Sequence, residues 1–156
     1  MNKLIFDGRG LLRGLPHLRR LLVLGLERAR EELLRCVETY VTGRGEQAIV
    51  VLDGRAATGE DMAYRNTSIQ VRVSPHPFLL MKEIISALCR ESRLTVVTDD
   101  PRLVDFANTH RVAVWSSHTF LAHLRKRQTD RELDNKFDGE LSQKELDDWM
   151  QLFGLK

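Results

Sequence analysis

An α/β fold, with a mainly parallel sheet carrying helices on both faces, follows from three observations on this 156-residue chain. Three short continuous apolar runs, Leu4-Ile5-Phe6, Ala48-Ile49-Val50-Val51-Leu52 and Leu94-Thr95-Val96-Val97-Thr98, have the length of strands, and the last two are β-branched, as strands buried on both faces are. Each run ends in aspartate: Asp7, Asp53 and the pair Asp99-Asp100. Amphipathic helical stripes separate the runs, Leu26, Ala29, Leu33, Val37 and Tyr40 in one, and Leu80, Ile84, Ile85, Leu88 and Cys89 in the other.

Taken in order, the first strand leads to the helix at Leu26–Tyr40 and then to the second strand. A further strand is expected at Ile69-Val71-Val73, followed by the helix at Leu80–Cys89 and the strand that ends in Asp99-Asp100. Asp100-Pro101 has the form of an N-cap followed by proline at the first helical position, so a helix opens there. Val112-Val114 reads as a short strand, and another helix starts after Ser116-Ser117. Near the end, Ser142 and Glu145 form a capping box, and Leu146, Trp149, Met150 and Phe153 make one apolar stripe that stops at Gly154. The segment Asp134–Glu145 partly fits a Ca²⁺ loop, but Lys136 sets a cation where a ligand oxygen is needed. The amphipathic C-terminal helix is the better reading of the same residues.

With 42% hydrophobic and 29% charged residues the chain suits one compact core. No apolar run reaches the roughly 18 residues needed to span a bilayer, and Asp7 interrupts the place of a signal-peptide apolar region, so a cytoplasmic protein without membrane contact is expected. Cys36 and Cys89 are isolated in sequence, with no CxxC and no Cys/His cluster, which predicts a reducing compartment and no zinc. The net charge of +2 is unevenly spread. Residues 1–128 hold 20 Lys and Arg against 14 Asp and Glu, whereas residues 129–156 hold 4 against 8. A basic body attracts phosphates, and an acidic tail is able to compete with a polyanion for the same face.

Strands of a parallel sheet end on one edge, where ligands bind near the reversal of strand order. Asp7, Asp53, Asp99 and Asp100 therefore converge on that edge as candidate catalytic residues. Clustered carboxylates repel unless a cation sits between them, which points to Mg²⁺ or Mn²⁺ held by Asp7 and Asp100, with Asp53 or Asp99 positioning water. The competing reading is that each aspartate caps a helix or starts a turn. Arg9, Arg13, Arg19, Arg20, Arg55 and Arg102 lie near the same strand ends and are the candidate RNA-binding residues. Arg125-Lys126-Arg127 is expected to end a helix and to interact with its C-terminus. His76 reads as an exposed loop residue and Trp115 as a core or edge aromatic. A dinucleotide fingerprint is excluded because Gly14 is one position too late after Gly8 and Gly10. A haloacid-dehalogenase-like start is excluded because Arg9 stands where a second aspartate is required.

The blocks Leu4-Ile5-Phe6-Asp7-Gly8-Arg9-Gly10-Leu11-Leu12, Val50-Val51-Leu52-Asp53-Gly54, Val96-Val97-Thr98-Asp99-Asp100 and the tail from Leu141-Ser142 to Trp149-Met150-Gln151-Leu152-Phe153 resemble the YacP-like NYN domains of the PIN-like nuclease superfamily. The resemblance spans nearly the whole chain. It implies a three-layer α/β/α sandwich over residues 1–128, with an acidic extension and docking helix over 129–156. It also implies kinship with bacterial, ribosome-dependent endoribonucleases that use acidic residues and a divalent metal. Two departures stand out. The family pattern Asp-Gly-Tyr-Asn reads Asp7-Gly8-Arg9-Gly10 here, and the place of a Thr-Ala-Asp-Asp-like motif falls on Pro77-Phe78-Leu79, with Glu83 more than a helical turn beyond. The expected function is an RNA-binding protein whose metal-dependent cleavage is weakened by the lost acids. The alternative is a non-catalytic RNA-binding or ribosome-binding protein, or an adaptor acting through its acidic tail. The sequence sets no oligomeric state.

Overall fold

A computed structural model describes residues 2–55 and 61–135. Six strands, β1 (Asn2–Asp7), β2 (Gln47–Asp53), β3 (Asp61–Asn66), β4 (Ile69–Ser74), β5 (Arg93–Val97) and β6 (Ala113–Trp115), form one sheet in the order β3-β4-β2-β1-β5-β6. All neighbours pair in parallel except β3 with β4. Six helices accompany them: α1 (Gly8–Gly14), α2 (Pro16–Leu24), α3 (Leu26–Val41), α4 (Pro77–Leu88), α5 (Pro101–Thr109) and α6 (Ser117–Asn135).

The two faces of the sheet are buried separately, which makes the three layers. Leu4, Phe6, Val50 and Val97 point into one core with residues of α1, α2, α3 and α6, among them Leu11, Leu18, Leu33 and Phe120. Ile5, Val51 and Val96 point to the other side and pack with Leu80, Met81 and Ile85 of α4 and Leu103 and Ala107 of α5. Alternate residues of β1 thus serve opposite cores, as the period of two along a strand requires. Phe120 meets Phe6 edge-on at 5.0 Å and Tyr40 at 5.7 Å, fastening α6 to β1 and α3.

Three elements lie beyond the sequence expectation. Helix α1 begins directly after β1 although Gly8 and Gly10 are poor helix formers. Its start is set by Asp7, whose Oδ1 accepts the Gly10 N–H at 3.1 Å. A Cβ on Gly8 would lie 2.6 Å from the Val51 carbonyl, so only glycine admits this approach of α1 to β2. Helix α2 follows, opened by Pro16 and closed at Gly25, whose φ of 153° turns the chain into α3. Strand β3 is an antiparallel edge strand with a register shift between Tyr64 and Asn66, and Arg65 ties it to α3 through Glu31 at 2.7 Å and Glu38 at 3.0 Å.

Helix α6 also corrects an expectation. It runs on to Asn135, so Arg125, Lys126 and Arg127 lie inside it and do not end it. Arg127 instead donates at 2.7 Å to the carbonyl of Thr42, the C-cap of α3, and so interacts with the end of a different helix. The 128/129 position falls inside the same helix. The apolar stripe from Leu146 to Phe153, its capping box and most of the Ca²⁺-loop-like segment lie outside the described residues. Among the described residues, no helix is long and apolar enough to cross a membrane.

Candidate functional site

Strand order reverses at β1: the chain passes from β1 to β2 on one side and fills β5 and β6 on the other. The crevice at the C-terminal ends of β1 and β5 is therefore the switch point of the sheet. Parallel pairing sets Phe6 beside Val97, and so Asp7 next to Thr98 and the acids that follow it. A pocket of about 430 Å³ opens there, bordered by Asp7, Asp99 and Asp100, by Arg9, Arg13 and Arg102, and by Phe78 and Met81 of α4.

Each carboxylate in the pocket also holds the fold. Asp7 is 8% exposed. Its Oδ2 accepts the Thr98 hydroxyl at 2.8 Å while Oδ1 caps α1. Burial pushes its pKa upward; the bonds from Thr98 and Gly10 oppose that shift, and the charges of Asp100 and Asp99 add to it. Asp99 caps α6 from across the crevice, Oδ1 accepting the Ser117 N–H at 2.8 Å and Oδ2 its hydroxyl at 2.5 Å. Asp100 caps α5 by accepting the Arg102 N–H at 2.9 Å. The Arg102 guanidinium grips both oxygens of Asp100, Nε to Oδ1 at 3.2 Å and Nη2 to Oδ2 at 2.9 Å, and this holds the Asp100 pKa low. The buried Thr98 hydroxyl links the two strand ends, donating to Asp7 and accepting the Asp100 N–H at 3.0 Å.

The sequence-expected residues divide between two recesses. Asp53 lies on the far side of β1 from β5 and does not border the pocket. It pairs with Arg9 at 3.8 Å and borders a smaller recess of about 160 Å³ with Leu22, Leu26 and Arg30. Arg9 and Arg13 line both recesses and form the ridge between them. Arg19, Arg20 and Arg55 are exposed and line neither. Glu83 is turned into a separate surface groove with Leu79 and Lys82. Phe78 lies in the pocket wall beneath Arg102, whose guanidinium carbon is 4.2 Å from the ring centroid. A Cβ on Gly10 would come within 2.5 Å of Asp7 Oδ2. A larger side chain at that position is incompatible with the present seat of Asp7. His76 is exposed at the start of α4, and Trp115 is half-buried, stacked on His123 at 4.1 Å and edge-on to Tyr40.

Oxygen donors alone suit a hard divalent cation, and the buried Asp7 beside two like charges is a place where a cation relieves repulsion. Asp7, Asp99 and Asp100 thus match Mg²⁺ or Mn²⁺ in donor type, but among the described residues only His17, Glu32 and Cys36 bring three ligand atoms within 4.8 Å of one another, so the three acids would have to draw together, and Arg102 leave Asp100, to share one ion. A second group of metal-ligand types, which no spacing in the sequence marks, forms between α2 and α3. Cys36 of α3 lies 3.8 Å from His17 Nε2 and 3.9 Å from Glu32 Oε1. Burial pushes the Cys36 thiol up to about 12 and the His17 imidazole down; the Glu32 charge opposes the fall at His17, and Arg20, Arg35 and Arg125 add to it. Glu32 is already bonded to Arg35. The protonated thiol and the imidazole pack α2 against α3, and a thiol that must lose its proton to ligate disfavours a metal there.

The comparisons with known proteins agree with this architecture. A crystal structure of a point mutant of Rae1 (YacP) from Bacillus subtilis superposes with a TM-score of 0.72 at 19% identity, covering 98% of this chain and 92% of that one. A second crystal structure of Rae1 (YacP) gives 0.68 at 19% identity over 88% and 80%. At that identity the likeness establishes a common fold. A search of curated proteins finds no match. The model of the YacP-like NYN domain, however, matches residues 4–153, the span that carries both the switch-point acids and the helices they cap, and the chain belongs to that family, with its PIN-like, nuclease-type fold.

Proposed function

We propose that this protein binds single-stranded RNA, free or on ribosomal particles in the cytoplasm, at the switch-point pocket, and that it cleaves RNA weakly with a divalent metal. One observation carries the reading: three strand-end carboxylates and three arginines border the same pocket. Arg9, Arg13 and Arg102 present forked donors to the phosphodiester backbone. Asp7, Asp99 and Asp100 would hold Mg²⁺ or Mn²⁺, which when bound supplies a water of lowered pKa and neutralises charge on the phosphodiester. Asp7 contributes a buried oxygen oriented by Thr98, Asp99 an oxygen fixed at the start of α6, and Asp100 the oxygens now engaged by Arg102. Asp53 orders Arg9 from the neighbouring recess and does not contact the reacting phosphate in this scheme. Cleavage is weak because Phe78 stands where the family carries acids and Arg102 competes for Asp100.

The same two observations favour, as a second reading, a binding protein without cleavage. RNA cleavage in a translating bacterial extract with added Mn²⁺ or Mg²⁺ separates them, comparing the natural sequence with an Asp7→Asn/Asp100→Asn variant. Cleavage by the former alone supports the nuclease. Silence from both, with retained RNA binding, leaves the binding protein, and absence of RNA or ribosome binding at low salt refutes the proposal.

A further inference from the structure

We propose that Arg102 is shared between Asp100 and an RNA phosphate, so that divalent cation and phosphate bind the pocket cooperatively. This rests on the RNA-binding reading of the pocket and adds to it a specific coupling. Arg102 holds both oxygens of Asp100, at 3.2 and 2.9 Å, while its guanidinium plane rests on Phe78 at 4.2 Å. Lys82 lies 5.3 Å from the centroid of the same ring, and 5.1 Å from that of Phe106 behind it. The Arg102 side chain is 69% exposed, so its ion pair is screened and readily exchanged. The Phe78 ring holds the guanidinium at the pocket rim whichever partner it takes.

A phosphodiester offers two oxygens to the same fork that now grips a carboxylate. When the guanidinium turns to a phosphate, Asp100 keeps its bond to the Arg102 N–H but loses its charge partner. Its oxygens are then free in the pocket that Asp7 and Asp99 also border, where a cation is favoured. A cation on Asp100 conversely releases Arg102 for a phosphate. Breaking the pair opposes either ligand alone and is met only once when both bind, which is positive linkage. An exposed ion pair sets this contribution at about 2- to 5-fold in affinity. Phe78 then has a role of its own at the place of the lost acid: it seats the residue that regulates Asp100.

The test measures Mn²⁺ affinity of the full chain by electron paramagnetic resonance, with and without uridine 5′-monophosphate, beside a titration with single-stranded RNA. Arg102→Gln is compared with Arg9→Gln, which removes the same charge from the same pocket but pairs with Asp53. Arg102→Gln is expected to bind Mn²⁺ alone about 2- to 5-fold more tightly than Arg9→Gln, and to lose a similar factor from the tightening that the nucleotide produces. Reciprocally, Asp100→Asn, in which asparagine still caps α5, should bind the nucleotide about 2- to 5-fold more tightly than Asp53→Asn. Equal Mn²⁺ affinities in the two arginine variants, or no Mn²⁺ binding in any of them, overturn the switch while the RNA titration stands. A wild type that binds neither nucleotide nor RNA overturns the RNA reading and the switch together.

Discussion

Salt dependence offers a count of the arginines that touch RNA. Three arginines border the pocket, and each phosphate neutralised on a single strand contributes about 0.7 to the slope of log affinity against log salt, so Arg9, Arg13 and Arg102 together predict a slope of about −2. A fourfold rise in salt then weakens binding by about 18-fold. Replacing one of the three by glutamine lowers the slope to about −1.4 and the loss to about 7-fold, and replacing all three flattens the dependence. If Arg19, Arg20 and Arg55 also reached the strand, six contacts would give a slope of about −4 and a loss of about 300-fold over the same range. Fluorescence anisotropy of a labelled oligouridylate, titrated at several salt concentrations, reads the slope directly. A slope near zero in the natural sequence refutes phosphate contact. A slope unchanged in the triple glutamine variant refutes the assignment of these three residues, whatever the affinity.

Further expectations concern the fold around the site. Asp7 has its folded pKa raised by burial, so its contribution favours the native state at low pH and declines as pH rises above the ordinary carboxylate range. Asp7→Asn, which keeps an oxygen for the Gly10 N–H, should therefore raise the melting temperature more at pH 7 than at pH 4; a uniform fall in thermal scans at both would contradict this. Phe120→Ala removes an aromatic buried against Phe6 and Tyr40 and should cost about 3–5 kcal/mol in denaturant unfolding, against less than 1 for a surface substitution. Alkylation at neutral pH should modify the half-buried Cys89 well before Cys36, whose thiol is buried and pushed up to about 12; mass mapping of the first adduct decides.

How far the sequence foretold this depended on what each signal measures. The runs at Leu4, Ala48 and Leu94 were legible because strands buried on both faces must be apolar throughout, and their terminal aspartates stood out because the next residue leaves the sheet. Strand β3 was not legible, since Asp61-Met62-Ala63-Tyr64-Arg65-Asn66 has no apolar alternation and is held as an edge by pairing with β4 and by Arg65 on α3. Helix α1 was hidden by its glycines, which are retained for close approach to β2 and to Asp7 and not for helix propensity. The cluster of His17, Glu32 and Cys36 joins residues 19 apart in sequence, so no spacing rule could report it. Strand order is likewise absent from any local pattern, and it is strand order that separates Asp53 from Asp7, Asp99 and Asp100.

Three of the four acids expected as catalytic, Asp7, Asp99 and Asp100, also hold helix starts, so for them the two readings weighed on the sequence do not compete. Asp7 starts α1, Asp99 holds the start of α6 and Asp100 starts α5, so three helices converge with their N-termini on one crevice. Their partial positive ends offset part of the repulsion among the carboxylates. It follows that an alanine at any of the three removes a helix-start contact and a proposed metal ligand together, and any loss of activity it causes is ambiguous. Asparagine preserves the capping oxygen and removes the charge; at Asp7 it also takes the acceptor from the Thr98 hydroxyl, so Asp100→Asn is the variant that best separates the chemistry of the pocket from the architecture that holds it open.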